Sequence, residues 1–225
     1  MGLIGRSTFT VTVEPWFVMI DTNLVLSQRL VFNEVIVTNG GVLTAPLGME
    51  CGRLRLSAST ISLGTNSTTT DAMLMHSRLF GTNGVVFDGD VTLKGTNYIQ
   101  AAGVFGSTAL DVAGTNVMVG NFSIGNLAIN DLSRLTFSGT NTADSILVGS
   151  NGVLTTLPKV PLVLAVAGEA RVEAGGVLDA RDKGYQGGAK RGGAGSQQRD
   201  WGQPWGPGRR SARRPCIEAD VWRSV

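Results

Sequence analysis

Apolar residues along this chain recur at every second position over short stretches, and the stretches themselves repeat. Asn39-Gly40-Gly41-Val42-Leu43-Thr44-Ala45 returns as Asn83-Gly84-Val85-Val86-Phe87-Asp88-Gly89. It returns again as Asn151-Gly152-Val153-Leu154-Thr155-Thr156 and as Ala174-Gly175-Gly176-Val177-Leu178-Asp179-Ala180, with weaker copies around Ile61, Leu110 and Leu135. Aligned, the copies give an aliphatic column of Leu43, Ile61, Val86, Leu110, Leu135, Leu154 and Leu178, with a mean spacing of 22.5 residues. The next column (Thr44, Ser62, Phe87, Asp111, Thr136, Thr155, Asp179) is polar in six of seven, and the one after it is mostly apolar again. A period of two sends alternate side chains to opposite faces, so each copy predicts a short strand with one buried face. Asp88 interrupts the third column. A slip of one residue would turn Val85 and Phe87 inward and Asp88 outward, with Gly84 or Gly89 hosting the bulge.

Other stretches alternate in the same way: Leu54/Leu56/Ala58, Val91/Leu93, Phe122/Ile124 and Leu162/Leu164/Val166. Apolar residues at helical spacing between caps are missing. Gly-Thr-Asn occurs five times, starting at Gly64, Gly81, Gly95, Gly114 and Gly139, and Gly and Asn tolerate the positive φ of a tight corner. A helix-free period of about 22 residues is too short for a propeller blade and lacks the leucine-rich consensus. It fits one turn of a parallel β-solenoid, in which each coil buries its inward face only by stacking on its neighbours. The expected architecture is all-β: a single parallel β-helix of about seven coils over residues 20–189, roughly 35 Å long. Residues 1–19 form an irregular lead.

Residues 190–225 break the pattern. They hold eight basic and three acidic residues (net +5), against eleven and fourteen up to Ala189 (net −3), and three of the four Trp. Three readings stay open for this Gly/Arg/Trp-rich tail: an anion- or RNA-binding segment, a disordered linker, or a stretch that does not continue the natural reading frame. For the whole chain, a net charge of +2 in 225 residues argues against nucleic acid as a partner. The sequence shows neither a signal peptide nor a run apolar enough to span a membrane.

Chemistry-bearing residues are sparse. One His and two Cys exclude most His/Cys metal sites and a disulfide scaffold. His76 has no Gly-x-Ser-x-Gly partner motif and suits a surface position, no phosphate-cradling loop is present, and Cys51 and Cys216 are expected to be free thiols. No cofactor is implied. The remaining candidates are carboxylates. Asp88 and Asp90 lie two apart, Asp111 is expected about one coil on, and Lys94 is close in sequence. Convergence of the three acids within about 10 Å, near a cation, would suit glycoside chemistry. Outward Asp and Lys serve equally well to solvate a sheet edge.

The Gly-Gly-Val-Leu-Asp-Ala steps, the Thr/Ser/Asn-rich outer faces, the Gly-Thr-Asn corners and the run from Val172 to Gly188 carry a resemblance. Over residues 22–189 the chain resembles right-handed parallel β-helix segments of large bacterial surface proteins, of the autotransporter-passenger and haemagglutinin-like adhesin type. That resemblance implies a right-handed winding, an extracellular or cell-surface location, and a structural or adhesive role without an active site. Implied partners are a surface ligand or glycan and the neighbouring coils of a longer chain. The extended signal peptide and membrane barrel of such proteins have no counterpart here, so the chain reads as an internal fragment. The rival expectation is a carbohydrate-active β-helix, a polysaccharide lyase or glycoside hydrolase, using Asp88, Asp90 and Asp111.

Overall fold

The computed structural model describes residues 17–82 and 85–180, without the side chains of 102–106. The tail at 190–225 and Cys216 lie outside the described residues. Among the described residues there are fifteen strands and no helix, and every strand pairing is parallel. The chain is a parallel β-solenoid of about eight turns.

Each turn contributes two walls. The short wall is built from β2 (Asn23–Val25), β4 (Val42–Ala45), β6 (Thr60–Leu63), β8 (Arg78–Gly81), two stretches of β9 (Val86–Ile129), β10 (Arg134–Ser138), β12 (Val153–Thr156) and β15 (Val177–Asp179). The bent wall holds β1 (Phe17–Ile20), β3 (Leu30–Val37), β5 (Met49–Ser57), β7 (Thr68–Met75), the rest of β9, β11 (Thr140–Val148), β13 (Val163–Val166) and β14 (Ala170–Val172). Its strands kink part-way, where cross-strand partners drop out at Asn33/Gly52 and at Gly125/Asp144, so each long strand forms two limbs. β9 runs unbroken through several corners, turning at Gly95, Gly114 and Gly120, all at positive φ.

Strand β1 opens at Phe17, so the pairing takes in the end of the 1–19 lead. The spacing between turns is shorter than the repeat alignment indicates. On the short wall Leu24, Leu43, Ile61, Leu79 and Ile99 are successive partners, in steps of 18 to 20 residues. Leu135, Leu154 and Leu178 continue the wall, with a wider final turn. Val86 and Leu110 belong to the bent wall instead, and Val86 faces outward. Replacing those two members by Leu79, Ile99 and the Thr115–Val119 stretch of β9 shortens the repeat to about 19 residues and raises seven coils to about eight.

One buried cluster runs from Ile20 to Leu154 and contains both Leu43 and Leu110. Stacked aliphatic side chains supply its stabilisation, at ~25 cal/mol for each Å² of apolar surface removed from water. Phe122 of the bent wall stacks on Phe137 of the short wall, centroids 5.8 Å apart, and ties the two together. Leu178, on the final rung, is 48% exposed.

The slip at Asp88 is present. Val85 and Phe87 are buried and Asp88 is exposed. Thr69 pairs with Phe87 and Ala72 with Val91, so three residues, 88–90, face two. Gly89 makes this bulge possible: a Cβ there would collide with Asp71 Oδ1 and lie 2.6 Å from the Thr70 carbonyl oxygen.

The Gly-Thr-Asn corners do more than turn the chain. Gly95, Gly114 and Gly139 take positive φ, as does Asn66, but Asn97, Asn116 and Asn141 point into the solenoid and are buried. Ser77 N donates to Asn97 Oδ1 at 2.8 Å, and Asn97 Nδ2 donates to Asn116 Oδ1 at 2.8 Å and to the Lys94 carbonyl at 2.9 Å. With the Ser59 N to Ser77 Oγ bond at 3.3 Å, these form a polar ladder up one corner. It satisfies backbone groups that burial would otherwise leave unpaired, each worth ~1–3 kcal/mol.

Candidate functional site

The bulge decides where the sequence-predicted acids lie. Asp88 opens the bulge at the kink of the bent wall, and its carbonyl accepts a 2.7 Å hydrogen bond from Thr108 Oγ1. Asp90 follows it on the second limb, where its N–H donates to Asp71 Oδ1 at 3.3 Å. Gly114 packs against Gly95, which places Asp111 opposite Thr92 on the next turn of that same limb. Asp90 and Asp111 are therefore diagonal neighbours about 8 Å apart, and Lys94 stands at a similar diagonal from Asp111. Asp88 lines a groove at the kink whose lining includes none of these three. Lys94 makes no ion pair with Asp90 or Asp111.

Asp88 opens instead onto a shallow groove of about 480 Å³, lined also by Thr108, Ser123, Asn126, Thr142 and Asp144. A smaller hollow of about 220 Å³ extends from Glu50, Thr68 and Thr70 to the same Asp88. The groove follows the kink of the bent wall, where small residues leave the surface low. Gly125 is required there because a Cβ would collide with the Thr108 carbonyl. Asp88 and Asp144 lie three turns apart, about 14 Å. Two-carboxylate glycoside chemistry needs roughly 5–9.5 Å, so the groove offers hydroxyl and amide donors and two separate acids rather than an acid pair. Ser107 Oγ, in its lining, is buried without a hydrogen-bond partner.

His76 is exposed at a corner at positive φ, and its Nδ1 accepts from Thr96 N at 3.3 Å. Its ring occupies the space over Gly95 that a side chain would fill. Cys51 is a free, buried thiol. Burial pushes it from 9.0 up to about 11, opposed by a hydrogen bond with Thr69 and reinforced by the Glu50 charge. It is a poor nucleophile, since the thiolate is the reactive form. Among the described residues, no three His, Cys, Asp or Glu side chains are grouped to hold a metal ion, and no helix is long and apolar enough to cross a membrane.

Sequence reasoning passed over one outward feature. Phe80 and Tyr98 stand on adjacent turns of the short wall, ring centroids 6.0 Å apart and tilted by 51°. Arg78 is directly opposite Tyr98 and Gln100 directly opposite Phe80. Eighteen residues separate the two rings in sequence; only the register of the turns reveals the pair.

No protein-family model, curated protein or solved structure matches the chain.

Proposed function

We propose that this chain is a structural and adhesive segment of an extracellular or cell-surface protein, of the autotransporter or adhesin type, without an active site of its own. The observation that carries the reading is that the groove holds no acid pair: Asp88 and Asp144, which line it, stand about 14 Å apart, and Asp90 and Asp111 lie outside its lining. The outward columns are otherwise rich in Thr, Ser and Asn, which suit a stiff, chemically quiet rod. At the two edges of the described residues apolar side chains are exposed, with Phe17, Met19 and Val25 at one and Val172, Val177 and Leu178 at the other. Such ends fit further coils of a longer chain. Light scattering should accordingly show association that grows with concentration; a clean monomer at high concentration would count against open ends.

A polysaccharide lyase or glycoside hydrolase is the second reading, favoured by the groove at Asp88 and by the diagonal placement of Asp90, Asp111 and Lys94. A glycan depolymerisation screen with Asp88→Asn, Asp90→Asn and Asp111→Asn controls separates the two. The scaffold reading predicts no cleavage. Cleavage abolished by one of these substitutions would replace it with the enzyme.

A further inference from the structure

The two walls differ in charge. From β2 to β12 the strands of the short wall carry no carboxylate; Asp179, on the final rung, is the first. The wall carries two cations, Arg78 and Arg134, and neither enters an ion pair among the described residues. The bent wall carries Glu34, Glu50, Asp71, Asp88, Asp90, Asp111 and Asp144. A cation with no acid beside it, on a wall cleared of acids, is complementary to an anion from outside.

The surroundings of Arg78 narrow the anion. Arg78 and Phe80 on one turn, with Tyr98 and Gln100 on the next, form a two-by-two square of outward side chains. The turn before presents Thr60 and Ser62, and Val117 and Val119 lie outward beyond. The two rings therefore rise from a low, flat floor. Aromatic faces of this kind pack against flat, weakly polar ligand faces. Tyr98 OH is 3.2 Å from Gln100 Oε1 and donates to it, which orders the amide and leaves its NH₂ free to donate outward. The guanidinium fork adds a bidentate partner for one carboxylate. A saccharide ring bearing a carboxylate presents all three complements: a flat C–H face for the rings, hydroxyls for the amide and a planar anion for the fork. A nucleic acid strand is a poorer match, since it needs a cation at each successive phosphate. Arg134 lies about 16 Å from Arg78.

We propose that the Arg78–Phe80–Tyr98–Gln100 square is a binding platform for an acidic saccharide, a hexuronate-containing glycan. It rests on the adhesive reading above and gives that reading a ligand class.

The test is calorimetric titration of the full chain with a hexasaccharide of alternating glucuronate and N-acetylglucosamine, alongside its carboxyl-reduced form. The acidic form should bind at least about ten-fold tighter than the reduced one, the span of a charge-assisted hydrogen bond. Arg78→Gln should erase that preference. Tyr98→Ala should weaken both probes by about two- to ten-fold. Arg134→Gln should leave both unchanged. These side chains point outward, so circular dichroism of each variant should match the parent. Equal affinity for the two probes, no binding of either, or Arg78→Gln without effect would overturn the platform. So would tighter binding of a single-stranded oligouridylate that depends on Tyr98. Shortening of the hexasaccharide, read by mass spectrometry, would instead overturn the non-catalytic reading and leave the platform standing.

Discussion

The two walls of this solenoid are built from the same alternation of apolar and polar residues, yet they differ in nearly everything they show to solvent. The short wall is straight and regular, and its strands carry no acid before the last rung. The bent wall kinks on each turn, carries the acids and hollows into a groove where glycine and small side chains line the kink. The inward half of the pattern specifies stacking, and it is common to both walls. The outward half is free to differ, and surface chemistry is written there. The bulge at Gly89 shows how little is needed to redistribute it: one extra residue sets Asp88 in the groove lining and Asp90 beside Asp71 at the start of the next limb.

The tie between the walls is the place to break the comparison hardest. Phe122→Ala or Phe137→Ala should each cost ~3–5 kcal/mol in denaturant unfolding. The double substitution should fall short of their sum by ~1 kcal/mol, because the stacked pair is lost once. Strict additivity would mean that the two rings act independently. At the corner, Asn97→Ala strips Ser77 N of its acceptor and Asn116 Oδ1 of its donor. We expect a loss of ~2–3 kcal/mol, with Asn66→Gly, at an exposed turn whose positive φ glycine adopts freely, losing less than ~1 kcal/mol. Similar losses at both sites would deny the ladder its role.

How much of this could be read from the sequence divides along the same line. Strands, inward faces, the outward turn of Asp88 and the glycine corners were legible because each depends on neighbours within a few residues. The length of the turn was not. Val86 and Leu110 alternate like Leu79 and Ile99, and nothing local says which wall an aliphatic residue joins. Asn97 and Asn66 occupy the same Gly-Thr-Asn motif, yet one is buried in a ladder and the other turns in solvent. The placement of Asp90 and Asp111, and the meeting of Phe80 with Tyr98, depend on the register between turns, which the sequence carries only through the sum of all the stacking.

Smaller effects sharpen the contrast on the bent wall. The Cys51 thiol is raised from 9.0 to about 11 by burial. Below pH 9 both folded and unfolded thiols keep their proton and Cys51 adds no pH dependence. Between pH 9 and about 11 the unfolded state releases a proton that the folded state holds, so stability should fall as pH rises through that window. Cys51→Ala should flatten that part of the profile, and native Cys51 should resist iodoacetamide until the chain unfolds. A slope unchanged by the substitution would place the titration elsewhere. Least of all, Arg55 Nε meets Glu34 Oε1 at 3.0 Å on a solvent-facing column. Arg55→Ala should cost under ~1 kcal/mol and less at high salt.

The account stands on turns that stack in parallel at a fixed rise. Thr60, Arg78, Tyr98, Val117 and Thr136 occupy successive turns of the short wall, and Thr155 the next. Pulsed electron-spin distances should be taken on the chain carrying Cys216→Ser, with spin labels on pairs joining Thr60→Cys to Tyr98→Cys, Thr136→Cys or Thr155→Cys. The separations should grow by about 4.8 Å per turn, to roughly 10, 19 and 24 Å between backbone positions. Distances that fail to rise in that order, or that exceed about 40 Å at Thr155, would contradict the solenoid and everything built on its walls.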